Sequence, residues 1–216
     1  MIRRYLDPAD SLEEVLFGVI MVLTFTLGAG LIVEESEDAT TELLLAILGC
    51  NVAWGLIDAG MYAMGCILER SRKSRLLESL ERAANERDAL AIVGRELDER
   101  LEPLTSAEER ERFYREIIKH LRSVTPERTR LTREVLFGAV ATFGLVFAST
   151  IPAIVPFLVF HDRFLALRVS NLLLLVMLFL AGFRWARATH ANAWLFGTTL
   201  LGVGLVLVAI AIALGG

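Results

Sequence analysis

Asp58 is the residue whose setting most invites chemistry. It is the single formal charge between Leu43 and Leu68, a stretch otherwise built from apolar and small uncharged side chains. An ionisable group in hydrocarbon costs about 2.5–3.5 kcal/mol or more, which makes it a functional candidate by default. Asn51 stands one heptad before it, and Met61 and Tyr62 follow about one turn after it. Helical spacing lays Asn51, Asp58 and Met61 on overlapping parts of one face. A carboxylate, an amide and a thioether so disposed could take a partly dehydrated divalent ion, the sulfur favouring softer ions over magnesium or calcium. The same carboxyl group could instead serve as a hydrogen-bonded contact that glues helices together. Apart from the initiator, the methionines (Met21, Met61, Met64 and Met177) all fall in apolar runs. Thioethers are core filler as often as ligands, so each stays open.

Glu14 and Glu134 stand at the mouths of two apolar runs and could gate a cation path, although Glu14 also fits a capping box with Ser11. The charged middle of the chain repeats carboxylates at i,i+3 spacing: Glu78/Glu81, Glu96/Glu99/Glu102 and Glu108/Glu111. Arginines such as Arg75, Arg82, Arg95, Arg112 and Arg115 lie within a turn of them, the pattern of a solvated, salt-bridged surface. That segment has neither His nor Cys before His120, which argues against zinc. Phosphate loops, nucleotide fingerprints, nucleophile elbows and His-rich protease motifs are absent, so the reading is not an enzyme, and nothing points to nucleic acid.

The elements that must position these groups are membrane spans. Hydrophobic residues make up 55% of the chain and charged residues 22%, which coexist because the charges are segregated. Val15–Val33, Val135–His161 and Trp194–Gly216 carry no formal charge, and Phe164–Phe183 is interrupted only by Arg168. About 20 apolar residues span a hydrocarbon core of roughly 30 Å. The expected fold is therefore an all-α integral membrane protein with five transmembrane helices. Residues 1–68 carry spans 1 and 2, residues 69–133 form a three-helix cytosolic insert between spans 2 and 3, and residues 134–216 carry spans 3 to 5. Within the insert the first helix continues span 2. Asn85 and Ser106 read as N-caps, and Leu90, Val93, Leu97 and Leu101 form an apolar face. Phe113, Ile117 and Leu121 form another, and Thr125-Pro126 opens the helix into span 3. Pro152 and Pro156 in span 3 free backbone carbonyls within the membrane.

Twenty Lys/Arg fall on the side of the N-terminus and two, Arg163 and Arg168, on the other, predicting N-terminus in and C-terminus out. Cys50 and Cys66 share a helix at roughly 24 Å separation, too far for a disulfide between them. An internal repeat is visible at an offset of 120. Glu14-Val15-Leu16-Phe17-Gly18 recurs as Glu134-Val135-Leu136-Phe137-Gly138, and Asn51 matches Asn171. Parallel repeats of this kind are common in transporters, with substrate sites near the repeat interface.

The architecture, together with the strings from Glu14 to Thr26 and from Asn51-Val52-Ala53-Trp54-Gly55 to Leu56-Ile57-Asp58, resembles a bacterial branch of the vacuolar iron transporter family. The resemblance implies a homodimer in the inner membrane that exports ferrous iron or similar divalent ions from the cytosol against protons. The insert would collect metal, and no cofactor would be permanently bound. Members of the family resemble one another in an Asp-Gly pair in span 1, where this chain has Phe17-Gly18, and their inserts carry methionines that this one lacks. Asp58 or Glu14 would then take over the missing acid's role. The expected metal residues are Asp58, Met61, Asn51 and Glu14, followed by Met64, Glu134, Asn171, Glu78 and Glu81, with iron or manganese as cargo. The competing expectation is a membrane scaffold or sensor of the same fold whose insert recruits a partner.

Overall fold

The computed structural model describes residues 8–32, 39–124 and 130–214, and among these the secondary structure is all helical. Seven helices follow in order: α1 (Pro8–Ile32), α2 (Ala39–Glu81), α3 (Glu86–Leu101), α4 (Ala107–Leu121), α5 (Arg133–Val159), α6 (Arg163–Ala188) and α7 (Ala193–Ala213). Five of them, α1, α2, α5, α6 and α7, are long and apolar enough to cross a membrane. The chain divides into two compact units.

The first unit comprises α1, the N-terminal part of α2, and α5 to α7. Its core is made by Val19, Val22 and Leu23 of α1, Leu43 and Ile47 of α2, Ala153 and Phe157 of α5, and Ala166, Leu174 and Leu178 of α6. Small residues allow the close approach, as in other membrane bundles. A methyl group at Gly18 would overlap Ser149 Oγ, and one at Gly197 would stand 2.8 Å from the Phe179 ring. Many large apolar side chains are exposed instead, among them Leu205, Val206, Ile210 and Ile212 of α7. A surface this apolar suits lipid rather than water. Both prolines of α5 lie inside the helix, and Ser170 Oγ donates to the Ala153 carbonyl between them at 2.9 Å, tying α6 to that stretch. At the α6–α7 turn, His190 adopts φ 58° and the Ala191 N–H reaches back to the Ala186 carbonyl at 2.8 Å. That is a Schellman closure, which favours glycine at the left-handed position.

The second unit comprises the C-terminal part of α2 with α3 and α4. Leu80, Ala89, Val93, Tyr114 and Ile118 form its core, with Leu90, Leu97 and Leu101 packed against it. Asn85 Oδ1 accepts the Asp88 N–H at 2.9 Å. At Ser106 a full capping box forms with Glu109, whose carboxyl is held below its ordinary value chiefly by the Ser106 backbone N–H. Tyr114 Oη donates to Asp98 Oδ1 at 2.7 Å, and burial followed by this acceptor raises the phenol above its ordinary value. Arg115 joins Glu86 at 3.0 Å to Glu111 at 2.6 Å. The Arg70 guanidinium donates to the Arg130 carbonyl and to Thr132 Oγ1, both at 3.0 Å.

Three expectations change. α1 already runs from Pro8, so Ser11 lies inside the helix rather than at its cap. In α4 the buried pair is Tyr114 and Ile118, while Phe113 is 52% exposed. A tyrosine that satisfies its hydroxyl on Asp98 takes the inward position, and Phe113, one residue earlier, is turned about 100° away. The Thr125-Pro126 helix start falls outside the described residues; the described stretch from Arg130 to Thr132 is not helical, and α5 begins at Arg133.

Candidate functional site

Two contacts fix the register of α2 on α5. A methyl group at Gly55 would lie 2.9 Å from the Phe143 ring, and the Tyr62 ring occupies the space over Gly138. The earlier residue of α2 meets the later one of α5, so the two helices run antiparallel. Asp58 falls between these two contact positions on α2, and Asn51 lies one turn before Gly55. On α5 the Val146 carbonyl and Ser149 Oγ lie against Gly18 of α1.

Several polar atoms of α2 and α5 are shut off from solvent and unsatisfied. Asn51, Thr142 and Thr150 are fully buried. Asn51 Nδ2 donates to the Ile47 carbonyl at 3.1 Å. Among the described residues, however, Asn51 Oδ1, Asp58 Oδ2, Thr142 Oγ1 and Thr150 Oγ1 are all buried without a hydrogen-bond partner. Natural interiors leave few such atoms, and each one calls for an explanation such as a bound water or ion. Two of them, Asn51 Oδ1 and Asp58 Oδ2, lie two turns apart on α2.

The repeat supplies a second view. Thr26 Oγ1 of α1 donates to Asn171 Oδ1 of α6 at 2.6 Å. At the offset of 120, Asn171 corresponds to Asn51 and Thr26 corresponds to Val146. In the α1–α6 pair the asparagine oxygen is therefore capped by a hydroxyl. At the corresponding position of α5 the sequence has Val146, which has no donor.

The remaining candidates lie elsewhere. Met61 and Met64 are 65% and 70% exposed. Glu14 is half-buried on α1, and its neighbour Glu13 accepts from Trp185 Nε1 at 3.0 Å. Glu134 is exposed in the first turn of α5. Glu78 and Glu81 are exposed, with Glu78 3.8 Å from Arg82. Among the described residues no three His, Cys, Asp or Glu side chains gather as a metal cluster would require. Asn51 and Asp58 thus each carry a buried, unsatisfied oxygen on α2, whereas the two methionines are exposed. What sequence reasoning missed is the set of buried hydroxyls, Thr26, Thr142, Ser149, Thr150 and Ser170. Their signal was available: hydroxyls recurring within the uncharged runs, and a repeat whose two members differ at positions 26 and 146.

Such a molecule is a polytopic helical membrane protein that keeps unsatisfied polar groups between its spans. The VIT family model matches residues 68–216, more than half of the chain, and the chain belongs to this family, the vacuolar iron transporters. Metal-ion transport is the activity that this membership carries at the level of the family. The match begins after Asn51, Asp58, Met61 and Met64 and includes Asn171 and Glu134. No curated protein and no solved structure matches the chain.

Proposed function

We propose that this chain is a divalent metal-ion transporter that moves iron or manganese out of the cytosol as a homodimer, with protons as the counter-ion. Asp58 is its central ion-binding group. The observation that carries this reading is the buried, unpartnered Oδ2 of Asp58 in the middle of an apolar helix. An acid so placed marks an ion or proton pathway in membrane proteins, and family membership supplies the metal. Asn51 assists from the same helix. Glu14, and more distantly Glu134, serve the cytosolic mouth, while Glu78 and Glu81 belong to the three-helix segment between spans 2 and 3 that first meets the ion. Met61 and Met64 stand on the outward face of α2, where a second copy would cover them. The bacterial inner membrane is the compartment, with the N-terminus and the insert in the cytosol. The charge count of 20 Lys/Arg against 2 supports that orientation.

The test is uptake of ferrous iron, manganese, cobalt and zinc into proteoliposomes of the purified protein, with and without a pH gradient. Saturable flux that disappears in Asp58→Asn, with the thermal unfolding curve unchanged, is the expected result. Full flux in Asp58→Asn would remove the principal site residue. No flux for any ion, from folded and correctly oriented protein, would favour a scaffold or sensor.

A further inference from the structure

At the end of the first unit where α2 begins and α5 passes to α6 lies a cavity of about 170 Å³. That is several times the roughly 30 Å³ that one water molecule occupies in the liquid. Thr40, His161 and Arg163 line it with O–H and N–H donors, and Phe157, Leu158 and Phe160 line it with apolar side chains. Among the described residues that line it, none is acidic.

The Arg163 guanidinium is the group that asks for a ligand. The residue as a whole is half-buried, but its Nε is shut off from solvent and has no hydrogen-bond partner among the described residues. None of the ion pairs among those residues includes it. Arginine keeps its proton in proteins, so this group cannot escape the cost of burial by becoming neutral. Asp162, its neighbour in sequence, spends Oδ1 on the Leu165 N–H at 3.1 Å, where it caps α6. The charge distribution sharpens the point. By the span count 20 Lys/Arg fall on the side of the N-terminus, and Arg163 and Arg168 are the two at this end. A basic residue here runs against the ordinary bias of membrane proteins. Arg168 has a partner of its own, since its guanidinium carbon lies 4.6 Å from the centre of the Phe164 ring, and it does not line the cavity.

We propose that this cavity binds a phosphate oxyanion, carried on the headgroup of an anionic lipid or taken from solution. Arg163 Nε and an adjacent Nη form the two-donor fork that matches two oxygens of one phosphate. Thr40 adds a hydroxyl from α2, and His161 adds a ring nitrogen from the α5–α6 turn. A lining of donors without a carboxylate selects an anion and rejects a metal cation. Leu158 and Phe164 in the adjoining turns are exposed and give the acyl chains of a lipid a surface to lie on.

The experiment uses the full-length protein in a neutral detergent, with dioctanoyl phosphatidylglycerol, inorganic phosphate or the phosphate-free dioctanoylglycerol as probe. Native mass spectrometry and the shift in melting temperature read binding for wild type, Arg163→Gln, Arg163→Lys and Arg168→Gln. Arg163→Gln should weaken binding of the phosphate probe by roughly tenfold or more, the loss of one charge-assisted hydrogen bond. Arg163→Lys keeps the charge without the fork and should fall between the two; it carries the test if Arg163→Gln does not fold. Arg168→Gln should bind as wild type does. Phosphatidylglycerol that inorganic phosphate does not displace identifies the lipid headgroup as the source. Displacement, with phosphate binding in the absence of lipid, identifies the free anion. A carboxylate from Glu34, Glu35, Glu37 or Asp38, the acids that precede Thr40 in sequence, is the competing occupant. It would leave binding indifferent to Arg163. Equal binding in wild type and both Arg163 variants would therefore overturn the site. So would an equal loss in Arg168→Gln, equal binding of dioctanoylglycerol, or no binding of either phosphate probe.

Discussion

The hydrogen bond from Thr26 to Asn171 can be removed with almost no change of shape. Thr26→Val replaces a hydroxyl by a methyl group at a position 1% exposed, and it deletes the 2.6 Å contact that joins α1 to α6. Interhelical hydrogen bonds in membranes average about 0.6 kcal/mol and reach about 1.7. The contact here is short and nearly buried on the threonine side, which places it in the upper half of that range. Asn171 is half-buried, which limits the further penalty for leaving its oxygen unsatisfied. The expected cost is about 1–1.5 kcal/mol. Reversible unfolding in mixed micelles would measure it. Asn171→Leu and the double variant complete a double-mutant cycle. If the contact acts as described, the double variant should be less destabilised than the sum of the single variants by about 1 kcal/mol. Additive costs, or a Thr26→Val penalty near zero, would refute the claim that this hydrogen bond joins α1 to α6.

Other perturbations follow from the same physics. His190→Gly relieves a left-handed residue, a gain of about 1–2 kcal/mol set against about 0.5–1 kcal/mol of lost chain restriction. The melting temperature should rise modestly; a fall would show that the His190 side chain contributes more than its backbone costs. Ile118→Ala should destabilise the second unit by about 2–4 kcal/mol, whereas Phe113→Ser should change it by less than about 0.5 kcal/mol; hydrogen exchange of α4 amides would rank them, and the reverse order would refute the assigned face. Because the Glu109 carboxyl is depressed in the folded chain, its capping contribution is complete above the ordinary value of 4.5 and is lost as pH falls through the lower folded value. Protection of the first turn of α4 should therefore depend on pH in that acidic window for wild type but not for Glu109→Gln. Equal pH dependence in both would place the effect elsewhere.

How far the sequence reveals the molecule depends on which force sets each feature. The spans were legible because hydrocarbon tolerates so few charges that an uncharged run of about 20 residues has few other uses. The caps at Asn85 and Ser106 were legible for a local reason, since a side chain and a backbone N–H three residues apart decide them. Ser11 carries the same local signal as Ser106 and yet lies within α1, because an apolar helix with Pro8 at its first described position extends past a weak start site. On α4, Ile117 and Leu121 pack against the core as their spacing suggests, and only Phe113 was misplaced, since Tyr114 takes the inward position with its hydroxyl on Asp98.

The candidate site divides along the same line. Asp58 and Asn51 stood out by residue type and spacing, but periodicity also placed Met61 beside them, and a helix face says nothing about which neighbour covers it. α5 meets α2 at Gly55 and again at Tyr62, Asn51 is fully buried, and Met61 is exposed. Threonine is too common in membrane helices for Thr142 or Thr150 to be singled out by type. Their burial without a hydrogen-bond partner shows only in the structure. The repeat is where sequence and structure must be combined. The offset of 120 by itself is five letters and an asparagine, and the Thr26–Asn171 bond by itself is helix packing. Taken together they show that the two asparagines matched by the repeat differ in their partners: Asn171 Oδ1 accepts from Thr26, whereas Asn51 Oδ1 is buried with none.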